Sequence, residues 1–235
     1  MPPKKTEPDV AEPVAPAPTS RIAVWDLPTR LFHWLLVALI AFSWWTGKQH
    51  HYDLHLWSGI AVLTLIFFRL LWGLFGGSTA RFANFVRGPA AVGDYLRGAW
   101  RGIGHSPLGA ISVIALLGLI ALQAGLGLFA SDEDGLLLGP LSGFISGQAS
   151  EDIAELHEDF FNVLLVFIVL HIAVVLFYWL AKKQNLIGPM VTGSADLDPG
   201  TEPMRQAKWW VALLCLIAAI AVSRWILAGA PPFGP

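Results

Sequence analysis

Five stretches of the chain carry apolar residues almost without interruption, and the polar residues gather between them. They run over about 31–47, 55–75, 107–130, 157–181 and 207–228. Each is close to the ~20 residues an α-helix needs to cross a bilayer core. The pattern predicts an all-α integral membrane protein with five transmembrane helices, the fifth C-terminal. The first 20 residues are rich in Pro, Ala and charge and lack an apolar h-region, which predicts a disordered tail rather than a signal peptide. Residues 21–183 then form the four-helix domain. The stretch 184–206, with Gly188-Pro189, Asp198-Pro199-Gly200 and Glu202-Pro203, reads as a linker. Residues 207–235 supply the fifth helix and a short tail.

Charge sets the expected orientation. Arg21 and Arg30 precede the first helix, Arg81, Arg87, Arg97 and Arg101 fill the loop after the second, and Lys182 and Lys183 follow the fourth. The loop after the first helix carries only Lys48. The stretch 131–156 has no basic residue, yet holds Asp132, Glu133, Asp134, Glu151, Asp152 and Glu155. Every basic cluster falls on one side if the N-terminus is cytoplasmic, so the rule that positive loops stay inside places the C-terminus outside, in the periplasm. Trp44, Trp45, Trp57, Trp179, Trp209 and Trp210 lie near segment ends, where amphipathic rings favour the interface.

Composition adds exclusions. At 55% hydrophobic and 14% charged residues, the chain has too little charge to cover a soluble surface. A single cysteine, Cys215, excludes an intrachain disulfide, a thiolate zinc cluster and an iron–sulfur cluster. The C-x-x-C-H signature of covalent haem attachment is missing. No Gly-rich nucleotide loop and no basic nucleic-acid patch is found, so nucleic acid is not an expected partner.

Histidines inside the apolar stretches carry the chemistry. His157 and His171 lie fourteen residues apart, nearly four helical turns, which puts both on one face about 21 Å apart along the axis. Across a bilayer core of about 30 Å that defines two levels. His33 lies near the cytoplasmic end of the first helix and His55 near the outer end of the second. Depth therefore allows an outer pair, His55–His157, and an inner pair, His33–His171. The inner match is uneven: His33 is three residues past Arg30, whereas His171 is eleven short of Lys182. It requires that the fourth helix project beyond the bilayer or the first begin earlier, near Trp25. Neutral imidazole ligates iron well, and two axial imidazoles saturate a haem, leaving a centre that passes electrons and activates no ligand. Two non-covalent b-type haems, one per pair, are the expected cofactors. Gly109, Gly118, Gly125 and Gly127 on the third helix offer either haem clearance or ordinary close packing. Arg69 shares a helix face with His55 four turns further in, and Arg30 lies one turn before His33. Both are candidates to neutralise propionates, and Arg69 is equally explained by snorkelling to the surface.

Other readings stay open on these residues. His51 and His55, spaced i, i+4, with His157 nearby, outline an outer zinc centre, although that leaves His33 and His171 without a role. A transporter is a further alternative, but the repeat symmetry and broken helices that usually mark one are not apparent. His50, His51 and His105 lie in loops and are expected to be solvated.

Several runs have a familiar form. Val24-Trp25-Asp26-Leu27-Pro28-Thr29-Arg30-Leu31-Phe32-His33-Trp34 closely resembles the opening of the bacterial cytochrome b561 family, which includes the b-type cytochrome subunit of nickel–iron hydrogenases. His55-Leu56-Trp57-Ser58-Gly59 and Arg69-Leu70-Leu71-Trp72-Gly73 are similar to its second helix, and Ser106-Pro107-Leu108-Gly109-Ala110 to the start of its third. Leu156-His157-Glu158 through Leu170-His171 resembles its fourth, interval included. The resemblance spans about 21–183. It implies a four-helix core with two b haems, ligated by the same pairs that depth allows. It also implies electron transfer in a bacterial inner membrane between the quinone pool and a redox partner, which would be a hydrogenase, another reductase or a cytochrome c. A free-standing quinone oxidoreductase of the same fold is the alternative within that class. The acidic stretch 131–156 would suit docking of a basic redox partner, or be a solvated loop.

Overall fold

The computed structural model describes residues 19–132 and 137–233. Apart from its last two residues, the Pro-rich stretch 1–20 lies outside them, as do Glu133 and Asp134.

Five long helices are apolar enough to span a membrane: α1 (Leu27–Lys48), α2 (Tyr52–Phe75), α5 (Pro107–Phe129), α6 (Gly147–Leu180) and α8 (Trp209–Leu227). Short helices α3 (Phe82–Phe85) and α4 (Pro89–Leu96) lie between α2 and α5, and α7 (Ile187–Thr192) follows α6. Local chemistry sets the starts. Asp26 caps α1 by accepting from the Thr29 N–H at 2.8 Å, with Pro28 in the first turn, where its missing N–H costs nothing. Ser106 caps α5 by accepting from Gly109, and Ser146 caps α6 by accepting from Ala149.

Three starts lie earlier than hydropathy predicts, α2 by only three residues. Helix α6 begins ten residues before His157, where Ser146 caps it and the polar turns that follow carry no apolar signal. At 34 residues it is about 51 Å long, well beyond a bilayer core. Helix α1 begins at Leu27, directly after its aspartate cap. The earlier start of α1 places His33 deeper in its helix, the direction its pairing with His171 needs, whereas the added turns of α6 lie at the His157 end and leave that relation unchanged.

Helix α2 is the central post. It packs on α1, on α8 and more lightly on α5, while α6 packs most extensively on α5. No comparably extensive interface joins α1 to α6. The core layer lies at mid-bundle: Phe32 and Leu36 from α1, Val62, Ile66, Phe68 and Trp72 from α2, Leu117 and Ile120 from α5, Leu164 from α6, and Cys215 and Ala219 from α8. Leu164 stands seven residues from each of His157 and His171, so an apolar layer separates the two histidine levels.

The stretch read as a linker has structure of its own. Strand β2 (Ser194–Leu197) pairs antiparallel with β1 (Ser20–Ala23), Ser20 opposite Leu197 and Ala23 opposite Ser194. Gly193, at φ +88°, ends α7 and turns its carbonyl to the N–H groups of Val24 and Trp25 (2.8 and 3.0 Å). A Cβ there would stand 3.0 Å from the Trp25 carbonyl oxygen, so both backbone angle and space favour glycine. Further along, the Met204 N–H donates to Ala23, and the Ser78 N–H to the Arg205 carbonyl. The segment thus fastens the start of α1 to the far end of α6 and to the loop after α2.

Candidate cofactor site

The four histidines lie on three helices, none fully buried: His33 on α1, His55 on α2, and His157 and His171 on α6. His55 and His157 face each other with ring centroids 6.0 Å apart and planes at 86°. The His55 Nδ1 donates to the Ser43 carbonyl of α1 at 2.8 Å. The His157 Nδ1 donates to the Gln123 carbonyl of α5 at 2.9 Å. In each ring that bond places the proton on Nδ1 and leaves Nε2 as the basic lone pair, the arrangement by which an outer partner orients a metal-ligating imidazole. Two glycines make room. A Cβ on Gly47 would stand 3.0 Å from His55 Nδ1, and one on Gly127 would stand 3.0 Å from His157 Cε1. Outside this pair, Lys48 Nζ meets Glu158 Oε1 at 2.6 Å, an exposed bridge from the end of α1 to the residue after His157.

This geometry fits a bis-imidazole iron. A metal–imidazole bond is about 2.0 Å and the ring centre lies about 1.1 Å behind its nitrogen, so two rings on opposite sides of one ion stand about 6 Å apart. A Cβ on Gly59, Gly118 or Gly125 would meet nothing within 4 Å. Close helix packing therefore does not account for these three glycines. Gly109, by contrast, sits over the Ser106 cap. Zinc is poorly served. Among the described residues no three His, Cys, Asp or Glu side chains converge on a common point, and His51 lies beside Trp45, exposed.

The inner level is arranged differently. His33 of α1 lies within electrostatic range of His171 of α6. Its ring stands edge-on to Trp34, and its Nδ1 is buried with no partner. Arg30 donates from Nη1 to the Val191 carbonyl at 2.5 Å, while its Nε is buried without a partner. Arg69 is 2% exposed and does not snorkel to the surface. Its guanidinium lies 4.8 Å from the Phe82 ring centre and 5.9 Å from that of Phe85, with Nη1 unpartnered. Asp26 supplies the nearby negative charge and also accepts from the Trp72 indole N–H at 3.2 Å. His105, expected to be solvated, is instead packed between Trp25 (4.6 Å) and Phe85 (4.5 Å). Burial, with the charge of Arg69 second, pushes its imidazole down to about 3. His50 and His51 are exposed.

Sequence reasoning missed Ser43, Gln123 and Gly47. Ser43 and Gly47 stand one turn apart on the α1 face toward His55, a pattern of small residues that offered the only signal. Gln123, the one amide within the third apolar stretch, was a polar residue without an assigned partner.

An apolar helical bundle with opposed imidazoles, their donors held by backbone carbonyls, suits a membrane redox cytochrome. The chain belongs to the prokaryotic cytochrome b561 family, which matches residues 24–193. It is accordingly a membrane b-type cytochrome of electron transfer. Neither a curated protein nor a solved structure matches it. Helix α8 and the strand β2 lie beyond the matched residues.

Proposed function

We propose that this protein carries electrons across a bacterial inner membrane through two b haems, an outer one held by His55 and His157 and an inner one held by His33 and His171. The observation that carries the reading is the outer pair, two carbonyl-anchored imidazoles at the separation a shared iron requires. The haem irons, when bound, supply the one-electron chemistry. The chain's own residues hold, orient and insulate. Helix α6 contributes one ligand to each level, and the layer of Leu36, Ile66, Leu117 and Leu164 keeps water out of the space between them. Leftover donors on Arg30 and Arg69 support a part in neutralising propionates at the inner level. Basic loops on one side and acidic residues on the other support a cytoplasmic N-terminus and a periplasmic C-terminus.

The quinone pool is the proposed redox partner at one end. At the other is a hydrogenase, another reductase or a cytochrome c, and a free-standing quinone oxidoreductase is the second reading. Residues 21–183 are the proposed electron-transfer domain.

The test is a reduced-minus-oxidised spectrum of purified protein with a haem count. Two b haems per chain are expected, with His55→Ala and His157→Ala removing the same one and His33→Ala and His171→Ala the other. Zinc without iron, or loss of different haems from His55→Ala and His157→Ala, would refute the assignment.

A further inference from the structure

We propose that Gln123 is a positioning residue of the outer site, holding the ring of His157 nearly at right angles to that of His55. The inference rests on the di-haem reading and adds to it the device that fixes ligand-plane orientation. Three contacts join Gln123 to His157. Its main-chain carbonyl accepts from Nδ1 at 2.9 Å. Its side-chain Nε2 donates to the His157 carbonyl at 2.9 Å. The same nitrogen lies 3.3 Å from both ring nitrogens. A point equidistant from Nδ1 and Nε2 cannot lie along the outward lone pair of Nε2. The amide therefore braces the ring and leaves the ligating direction free.

Neighbours close the remaining freedom. Gly127 approaches the Cε1 edge so closely that a Cβ would stand 3.0 Å away. Rotation about the His157 side chain would break the Nδ1 bond, strike the amide or strike the Gly127 backbone. The Gln123 Oε1 is itself buried and unpartnered. Burying an amide oxygen without a partner is costly, so packing alone would favour an apolar residue here. What offsets that cost here is the bond from its Nε2 to the His157 carbonyl. On the opposite side, Ser43 fixes the His55 ring from α1, with its hydroxyl 3.4 Å from the same Nδ1. The 86° between the rings is thus imposed by two different helices, one per ligand.

The consequence is electronic. Two axial imidazoles in parallel planes split the iron d orbitals strongly and give a rhombic low-spin ferric signal. Perpendicular planes nearly cancel that splitting and give a strongly axial signal with a large gmax. Outer-sphere groups tune a metal site through such orientation.

The experiment is low-temperature EPR of the oxidised protein carrying both haems, with the outer signal identified as the one that His55→Ala removes. The expected outer signal is strongly axial. Gln123→Leu and Gln123→Met should move it to a smaller gmax, leave the inner signal in place and shift only the outer midpoint potential. Gln123→Met keeps nearly the side chain's length and volume but cannot donate to the His157 carbonyl, so it decides the matter should the leucine variant load haem poorly. A rhombic outer signal in the unaltered protein overturns the proposal, as does an unchanged gmax in Gln123→Met or an equal shift of both signals. A single haem per chain would instead overturn the di-haem reading beneath it.

Discussion

The outer and inner histidine levels are built to different standards of order. At the outer level both imidazoles are already bonded through Nδ1 to main-chain carbonyls, on α1 and α5, and glycines shape the space around them. At the inner level His33 has no partner for its Nδ1, and Arg30, one turn before it, keeps an unused donor on Nε. A site whose ligands are fixed by the fold loses little entropy on taking a cofactor, whereas one with unsatisfied groups is completed by it. On the proposed di-haem reading the outer level is preorganised, and the inner one would be finished on binding.

The largest test of that contrast exchanges ligands. His157→Ala and His171→Ala lie on the same helix face, so each should abolish one haem and spare the other, read as a haem count falling from two to one. Loss of both from either variant would mean that the levels do not form independently. Next in size is the glycine cradle. Gly127→Ala and Gly47→Ala each press a methyl group against an imidazole at 3.0 Å. Outer occupancy should weaken by about 10- to 100-fold, as when an orienting partner is lost. A Cβ at Gly147 meets nothing within 4 Å, and Gly147→Ala should change neither haem.

The inner end carries its own signature, in pH. His105 titrates near 3 in the folded protein and near 6.5 in the unfolded chain. Below about pH 6.5 the unfolded chain therefore binds a proton that the folded one refuses, and stability falls as pH drops from 6.5 toward 3. The slope is at most about 1.4 kcal/mol per pH unit. Thermal melts from pH 7 to 4 should show that decline, and His105→Phe should flatten it while keeping the aromatic packing with Trp25 and Phe85. The same slope in the variant would remove His105 as its source. Smallest is Lys48→Ala. The bridge to Glu158 is exposed on both sides, so its loss should cost under about 1 kcal/mol and vanish at high salt.

Much of this was legible in the chain because the bilayer imposes simple signals. Long apolar runs mark spanning helices, and a histidine within one is costly enough to mean something. Main-chain acceptors leave no such mark. Nothing in the identity of Ser43 or Gln123 announces that its carbonyl holds an imidazole, since every residue has a carbonyl. The early turns of α6 escaped because Ser146 to Leu156 is polar, and hydropathy ends where lipid ends. The β1–β2 pairing escaped because four-residue strands far apart in sequence have no shared local pattern. His105 escaped because a loop position is normally wet, and its aromatic enclosure is assembled from Trp25 and Phe85, distant in sequence.

The β1–β2 clasp bears on biosynthesis. Strand β2 leaves the ribosome only after α6 is complete, and α6 carries a histidine of each level. A nascent chain that stops before Gly147 holds His33 and His55 with no opposing ligand and β1 with no partner strand. Ligand completion and fastening of the first helix to the fourth spanning segment thus arrive within one short interval of synthesis. On the proposed ligation, α6 completes the histidine pairs, β2 fastens the first helix directly afterwards, and α8 is left to pack on α2 last.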